Sequence, residues 1–584
     1  MAETQIDSIE QENQELRMLK LNKQSGYNYR ERRQDDWLEN YTLYRDKVTI
    51  NRLTQRQSVN IPLMKQAIKT LLKDVDDLPV LYFENLDNNE ESEVFENEYW
   101  NVTAEQNSLP EMDIVDKKQV FMFGRSFIQI QVIDGRIVFT VQDPHDILVD
   151  RYTDPSNLDS ARFLIHTHIF TPLAVIKANE DYDKEEVKKL TEYFRSEEGI
   201  IKNADNEQML TEKSRKMSDL GLDDAQDPVL GETYVELTLH FIRRDEGDGE
   251  QFWMYVEAEN QVILMKKKLE EVIGTTKDNY WRDHLPYNTW ADDLERQDFW
   301  SDGIADIIRT PNKIVNSWFS QLVENRTLRS FGMHYYDTSA GEGDFAPQTF
   351  NPVPWGWYGI PGKPQDVFQK VDIPDLSESL DEMQFVIELA EKASGATATQ
   401  QGNITERNIT LGEVQLALGE AKERIKGMSK FYTPAWQERG HKFLKMIEAA
   451  HDKLDSVKIY KKGRNTDHIY GREIEPKDWM TESGYQVKVW SQEEKDAKDS
   501  EELQLLNAVV ANMPGNPKLL EIYQRRLLEF AKLKPEEINE IIEMEKQRMM
   551  MMQQQAMMEQ QMEQQPNQPS NQPPNGQMTQ PMIQ

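Results

Sequence analysis

The chain has 584 residues, 68 Lys+Arg against 103 Asp+Glu, a formal net charge of −35, and no cysteine. That length exceeds what one hydrophobic core fills, so several domains or one elongated body are expected. The acidic balance excludes a tight, wrap-around binder of nucleic acid, whose affinity comes from Lys and Arg displacing counterions. It does not exclude a protein that lies beside DNA without gripping it.

Without cysteine there is no disulfide framework, no Cys-ligated zinc, no iron–sulfur cluster and no thiol chemistry. The opening MAETQIDSIEQENQEL lacks a basic region followed by an apolar run, so no secretory signal is expected. No window reaches the 18 or so apolar residues of a membrane helix, so no membrane association is expected. N-x-[ST] matches such as those at Asn101, Asn325, Asn403 and Asn408 are then chance matches.

Residues 1–50 read as an amphipathic helix of dense mixed charge, and Pro62 to Lys73 as a second helix ending near Leu78-Pro79. VLYF at 80–83 is a short strand. From Phe127 to Val141, Ile128, Ile130 and Val132 alternate with Gln129 and Gln131. Asp134-Gly135 makes the turn, and Ile137, Phe139 and Val141 resume the alternation, a hairpin signal. Segments 143–150 and 160–170 add strands, and a helix is expected over about 172–196, with 200–231 irregular. A second hairpin runs from Tyr234–Phe241 through RRDEGDGEQ to Phe252–Val256. DEGDG lacks the spacing and terminal Glu of a calcium loop and reads as a turn.

Ser301 to Ser330 is helical, with Ile304, Ile307, Ile308, Ile314, Val315, Trp318, Phe319, Leu322 and Val323 on a broad face. Pro311 either kinks this helix or starts a new one with Thr310 as N-cap. Residues 331–374 are rich in Gly, Pro and aromatics. Phe350, Trp355, Trp357 and Tyr358 form either a local mini-core or a subunit interface. Asp375 to Lys392 returns to helix. Its apolar face is Leu376, Leu380, Met383, Val386, Ile387 and Ala390; Asp375, Glu378, Asp381, Glu382, Glu388 and Glu391 load the other side. That acidic side is either a solvated face or one turned toward a sliding anion.

Residues 394–410 form a long polar connection, and such loops usually have a function or lack order. Thr410 and Glu413 fit a capping box for a helix reaching about 453, which Pro434 kinks or splits. Strands recur at 456–461 and 485–490. From Gln492 the chain reads as helical to about 560, with breaks at PGNP (514–517) and a fresh start at Lys534-Pro535-Glu536-Glu537. The Gln/Pro-rich end, 561–584, reads as disordered.

No phosphate-binding loop, dinucleotide fingerprint, G-x-S-x-G or H-E-x-x-H occurs. His166 and His168, two apart on a predicted strand, would share a face and could in principle touch one metal. With 103 acids, a carboxylate pair such as Asp292-Asp293 has no specificity as a catalytic signal. No enzyme, cofactor or metal is expected.

The order of these pieces resembles the portal proteins of tailed double-stranded DNA bacteriophages. The resemblance is carried by QRQSVNIPLMKQAIKTLL followed by LPVLYF, by FMFGRSFIQIQV and VFTVQDPHDILVD with Gly124 and Asp146, and by LPYNTWADDLERQDFWSDGIADIIRTPNKIVNSWFSQLVENR, over roughly 15–490. It implies an α+β portal fold of long helices and small β units assembled as a ring. It divides the chain into a wing (1–299), first stem helix (300–330), clip (331–374), second stem helix (375–393), tunnel loop (394–410), long wing helix with a β segment (411–491), helical crown (492–560) and tail (561–584).

The resemblance further implies a dodecameric channel at one capsid vertex, through which the genome enters and leaves. Its implied partners are the terminase large subunit, head-completion or tail adaptor proteins, major capsid and scaffolding proteins, and duplex DNA passing without sequence-specific binding. The implied location is the virion, after assembly in the host cytoplasm. Gln400, Gln401, Asn403, Thr405, Arg407 and Asn408 would line the channel, with Arg407 either touching phosphate or held in an ion pair. Glu378, Asp381, Glu382, Glu388 and Glu391 would form an acidic stem face, and Phe350, Trp355, Trp357 and Tyr358 a clip interface. The rival readings are another minor connector or an acidic scaffolding protein without a channel, and a phage-encoded hydrolase.

Overall fold

The computed structural model describes residues 2–45, 50–51, 56–57, 60–74, 79–85, 90–196, 198–199, 202–203, 206, 233–247, 249–294, 298–331, 334–336, 368–370, 379–394, 432–462, 469–474 and 485–490, with single helical positions at 541, 544 and 548. The chain divides into two compact units, 1–459 with 472–489, and 460–471 with 490–584. In the second unit the described residues are few: 460–462, 469–471, 490 and the three helical positions.

Helix α1 spans Ala2–Tyr44 and α2 Leu63–Asp74, with the two-residue strands β1 (Ile50–Asn51) and β2 (Arg56–Gln57) between them. Strand β3 (Val80–Asn85) precedes α3 (Glu90–Gln106) and α4 (Leu109–Phe123). No element is legible in the sequence over 90–123. Both helices are rich in charge, and several charges in α4 are buried, which masks the amphipathic period.

The expected hairpin is present as β4 (Arg125–Ile133) and β5 (Arg136–Gln142), turning at Asp134-Gly135, both with positive φ. Strand β6 (Ile147–Val149) pairs with β7 (Phe163–Pro172). The expectation of strand over all of 143–150 fails because Pro144–Asp146 is a 3-10 turn, capped by the Asp143 carboxylate on the His145 N–H. The single helix expected over 172–196 is two, α5 (Leu173–Ala178) and α6 (Lys184–Tyr193). Asn179 accepts from the Asp181 N–H and Asp183 caps α6 through the Glu185 N–H, so local side-chain bonds divert the backbone between them.

The second hairpin is β8 (Tyr234–Asp245) and β9 (Glu250–Ala258), so its loop is only 246–249. Strand β10 (Val262–Lys268), unassigned from sequence, extends it. The result is an antiparallel five-stranded sheet of order β10-β9-β8-β7-β6. Helix α7 (Leu269–Ile273) and α5 and α6 cover one face, where Leu173, Ile176, Leu190 and Phe194 meet Val235, Leu237, Val256 and Leu264. The N-terminal half of α1 covers the other face, where Leu19 packs with Leu148, Phe163, Ile165, Ile242, Trp253 and Tyr255.

Strand β11 (Tyr287–Ala291) joins β4 and β5 in a three-stranded sheet. Helix α8 spans Ile304–Phe331. Strands β12 (His334–Tyr336) and β13 (Phe368–Lys370) pair antiparallel across the Gly/Pro-rich insertion. Helix α9 is Ser379–Ser394, and the described part of the next helix, α10, is 432–450, with Pro434 inside it. Strands β14 (Val457–Lys462) and β15 (Ile469–Ile474) follow, and β16 (Tyr485–Trp490) pairs with β3.

Two cores hold these pieces together. One gathers Tyr29 and Trp37 of α1, Met64 and Ile68 of α2, Phe121 and Phe123 of α4, and Ile304 and Ile308 of α8. The other packs Trp436, Phe443 and Ile447 of α10 on Phe83, Trp100, Ile130 and Trp281. Trp100 meets Phe443 edge-to-face at a centroid distance of 5.0 Å, a favoured aromatic geometry.

Candidate functional site

Helix α8 starts in a tight backbone nest. Gly124 ends α4 in the left-handed region at φ +82°, its N–H bonded to the Val120 carbonyl. A Cβ built on Gly124 would lie 1.9 Å from the Ser301 carbonyl oxygen, and one on Gly303 would lie 2.8 Å from Gly124 N and Phe121 O. Two glycines therefore allow the lead-in to α8 to touch the end of α4.

Polar groups fix the direction of α8 at the same point. Asp306 in its first turn accepts from the Gly303 N–H at 2.9 Å and from Asn40 of α1 at 2.9 Å. Arg33 of α1 bridges Asp302 at 2.6 Å and Asp306 at 2.7 Å. Arg309 reaches Asp36 at 2.8 Å, and Lys313 reaches Glu39 at 2.6 Å. This ladder joins α1 to α8 over three turns. Farther along, Asn316 accepts from the Ile61 N–H at 2.7 Å.

Pro311 does not split the helix: α8 runs through it unbroken as one element. The proline removes the donor for the Ile307 carbonyl. Ile307 is exposed, so water can take that place. Ile304, Ala305, Ile308, Asn312 and Val315 form the buried stripe, spaced as one helix face.

Helix α9 packs along α8. Met383, Ala390 and Ser394 are buried and Val386 and Ile387 half-buried, which makes the packed face. Leu380, assigned to that face from sequence, is exposed instead, at the first turn of the helix. Asp381, Glu382 and Glu388 are exposed and Glu391 is half-buried. At 100° per residue, Asp381, Glu388 and Glu391 follow one flank and Glu382 the other. Phe385 and Leu389 occupy the arc between, at 65% and 54% exposure. The acids thus do not make one continuous face. Burial, with the Glu388 charge adding, raises the Glu391 carboxyl above its ordinary value.

Of the other expected site residues, Glu378, the channel candidates Gln400, Gln401, Asn403, Thr405, Arg407 and Asn408, and the aromatics Phe350, Trp355, Trp357 and Tyr358 lie outside the described residues. So do the capping box at Thr410, the helical reading of 492–560 apart from three positions, and most of 200–231.

A buried polar lock, missed from sequence, ties α10 to the body. Asp116 of α4 accepts from Arg439 Nη2 at 2.6 Å, Trp290 Nε1 at 2.9 Å and Ser126 Oγ. Arg439 Nε also donates to Asn288 at 2.6 Å. Asp113 pairs with Lys117 and accepts from the Tyr432 hydroxyl. Lys442, with no exposed side-chain surface, pairs with Glu438 at 2.6 Å and donates to the Tyr287 carbonyl at 2.6 Å. The available signal was Asp113 and Lys117 at i and i+4 among apolar neighbours.

The two strand histidines do not share a partner. A bulge between His166 and Ile169, with His168 at φ +60°, breaks the alternation. His166 Nδ1 lies 3.0 Å from the Tyr287 hydroxyl in the interior, and His168 Nδ1 lies 3.0 Å from Glu236. No group of three or more His, Asp or Glu fit to hold a metal occurs among the described residues. Among them, too, no helix is long and apolar enough to cross a membrane.

Comparison with known proteins accords with the sequence resemblance. No curated protein matches the chain. Among solved structures, a chain of the virion of a native gene transfer agent (GTA) particle is similar over 70% of this chain and 81% of its own, at 9% identity and a TM-score of 0.33. The family model described as phage SU10 portal protein matches residues 64–580. That span is most of the sequence, and the chain belongs to the phage SU10 portal protein family.

Proposed function

We propose that this chain is the subunit of a dodecameric ring at one capsid vertex, the channel through which duplex DNA is packaged and ejected. The family match over residues 64–580 carries this reading. In it, residues 1–299 are the wing, 300–330 and 375–393 the two stem helices, 331–374 the clip, 394–410 the tunnel loop, 411–491 the long wing helix with its β segment, and 492–560 the crown. The clip and stem would dock the packaging terminase and later the head-completion or tail proteins.

The charge supports such a use. A channel wall must let a polyanion pass, so repulsion is an asset and tight binding a defect. The chain is net −35, and Asp381, Glu382 and Glu388 are exposed on α9. The rigid root of α8, set by the glycine nest and the ladder to α1, suits a helix that must keep its tilt while DNA moves. The loop candidates Gln400, Gln401, Asn403, Thr405 and Asn408 are neutral and polar, able to touch a phosphate backbone without holding it.

Electron microscopy of the purified protein tests the proposal. Rings of about twelve subunits with a central channel are expected, as befits closed cyclic symmetry. A stable monomer at micromolar concentration and physiological salt would overturn it.

A further inference from the structure

The N-terminal half of α1 covers the five-stranded sheet in two chemically different ways. At Leu19 the contact is apolar. At Gly26 the helix comes so close that a Cβ would sit 2.8 Å from Leu148 Cβ. Between these points the seam is polar. Lys23 is buried, and its Nζ donates to Thr238 Oγ1 at 3.0 Å and Asn260 Oδ1 at 2.7 Å.

On the same sheet face lies a histidine–carboxylate pair with no exposed surface. His240 Nε2 is 2.7 Å from Glu257 Oε2. The carboxylate can only accept, so Nε2 carries the proton. His240 Nδ1 and Glu257 Oε1 have no hydrogen-bond partner. With neutral His240, the seam is balanced: Lys23 contributes one positive charge and Glu257 one negative. A second proton on His240 would create a buried N–H donor without an acceptor and a second positive charge near Lys23.

The surrounding charges do not relieve this. Glu257 and Lys23 are the charged groups that act on His240. Glu236, farther along β8, is engaged by His168 at 3.0 Å and Lys202 at 3.6 Å. Tyr255, opposite His240 in register, accepts from Arg244, and Ile165 of β7 flanks His240 on the other side. Burial raises the Tyr27 hydroxyl of α1 above its ordinary value.

We propose that residues Glu15–Tyr27 of α1 form an acid-released strap, docked on the sheet while His240 is neutral and lifted when it takes a second proton. Lifting carries Lys23 into water and opens His240 Nδ1 to solvent. The strap is bounded by unequal anchors. Downstream, Tyr29 on Asp298 at 2.8 Å, Arg33 on Asp306, and the buried Trp37 hold firmly. Upstream, Glu15 meets Lys266 at 2.7 Å and Arg244 at 3.3 Å, all partly exposed, where water screens the attraction. Burial lowers the His240 pKa from the ordinary 6.5, Lys23 lowers it further, and the bond and charge of Glu257 oppose them. A base lowered in the docked state favours docking fully above its ordinary value. That preference is lost as the pH falls through the docked value.

The absence of native cysteine makes the test direct. Spin labels on Leu21→Cys and Gln261→Cys, both exposed in the parent, report the distance from strap to sheet in the full-length protein by double electron–electron resonance. One short distance is expected at about pH 7.5, with a longer population rising about tenfold by about pH 5. In His240→Gln the short distance should persist at both pH values. Lys23→Met, which removes the neighbouring charge, should move the release to lower pH and keeps the test open should His240→Gln fail to fold. An unchanged parent distance, release of His240→Gln over the same range, or an unshifted midpoint in Lys23→Met would each overturn the proposal.

Discussion

Gly124 and Gly303 lie against one another, and neither has room for a side chain. A Cβ on Gly303 would come 2.8 Å from Gly124 N, and one on Gly124 would come 1.9 Å from Ser301 O. Replacing Gly124 by Ala therefore incurs two costs: about 1–2 kcal/mol for the left-handed backbone, and a clash with rigid main chain. A total above about 3 kcal/mol is expected, among the larger effects of a single substitution. Gly247 has φ +107°, but a Cβ there would meet nothing within 4 Å, so Gly247→Ala should show only the backbone cost, about 1 kcal/mol. Thermal unfolding of both variants beside the parent checks the difference.

Asp116 and Arg439 form the second relationship to test. Both side chains are essentially fully buried, and Asp116 accepts from Arg439, Trp290 and Ser126. Removing one charge of such a pair strands the other, at a cost of about 3–5 kcal/mol. Arg439→Met and Asp116→Leu should each be strongly destabilising. The double variant should fall short of their sum by about 1–3 kcal/mol, because it leaves no stranded charge. Strict additivity in a double-mutant cycle would show that the pair is not coupled.

What the sequence disclosed divides along physical lines. The hairpins at 125–142 and 234–258 were legible because Ile128, Ile130 and Val132, and then Val235, Leu237 and Leu239, keep a period of two into one core. Helix α4 was not, because Asp113, Asp116 and Lys117 occupy buried positions that pattern reading assigns to solvent. Their partners Trp290, Tyr432 and Arg439 lie 174 to 323 residues away, beyond the reach of any local rule. The shared face expected of the two strand histidines fails for a related reason: the bulge after His166 shifts register by a step that alternation cannot foresee. On α9 the acids were legible by residue type. Phe385 and Leu389 interrupt them, and their exposure depends on where α8 packs.

Glu236 gives a pH dependence with a definite sign. Burial raises its pKa, but the bond and charge of His168, with Lys23 and Lys202, outweigh burial and bring it to about 2 from an ordinary 4.5. A carboxyl lowered in the folded state adds stability that is complete above its ordinary value and is lost as pH falls through the folded value. Between about pH 4.5 and pH 2, the parent should therefore lose stability more steeply than Glu236→Gln, which has no proton to gain there. Unfolding temperatures of the two proteins across that window should converge toward the acid end. Parallel curves would mean that Glu236 is not held as the geometry indicates.

The exposed acids of α9 offer a test of the channel reading itself. If Asp381, Glu382 and Glu388 face passing DNA, reversing their sign changes transport without changing the packed face made by Met383, Ile387 and Ala390. The triple replacement by Lys should leave ring formation intact, since all three side chains are exposed. Attraction to phosphate would then slow translocation, and full-length packaged genomes should fall about tenfold, with the deficit shrinking as salt rises. Deleting 396–408 should likewise spare ring assembly while impairing packaging or retention of DNA, because the segment is polar, with Ala396, Ala398 and Ile404 its only apolar residues, and lies in the sequence between α9 and α10. Packaged length and retention, measured on particles beside ring counts by microscopy, separate the two roles. Normal rings with unaltered packaging in both variants would remove α9 and the loop from the DNA path, whereas loss of rings would assign these residues to assembly instead.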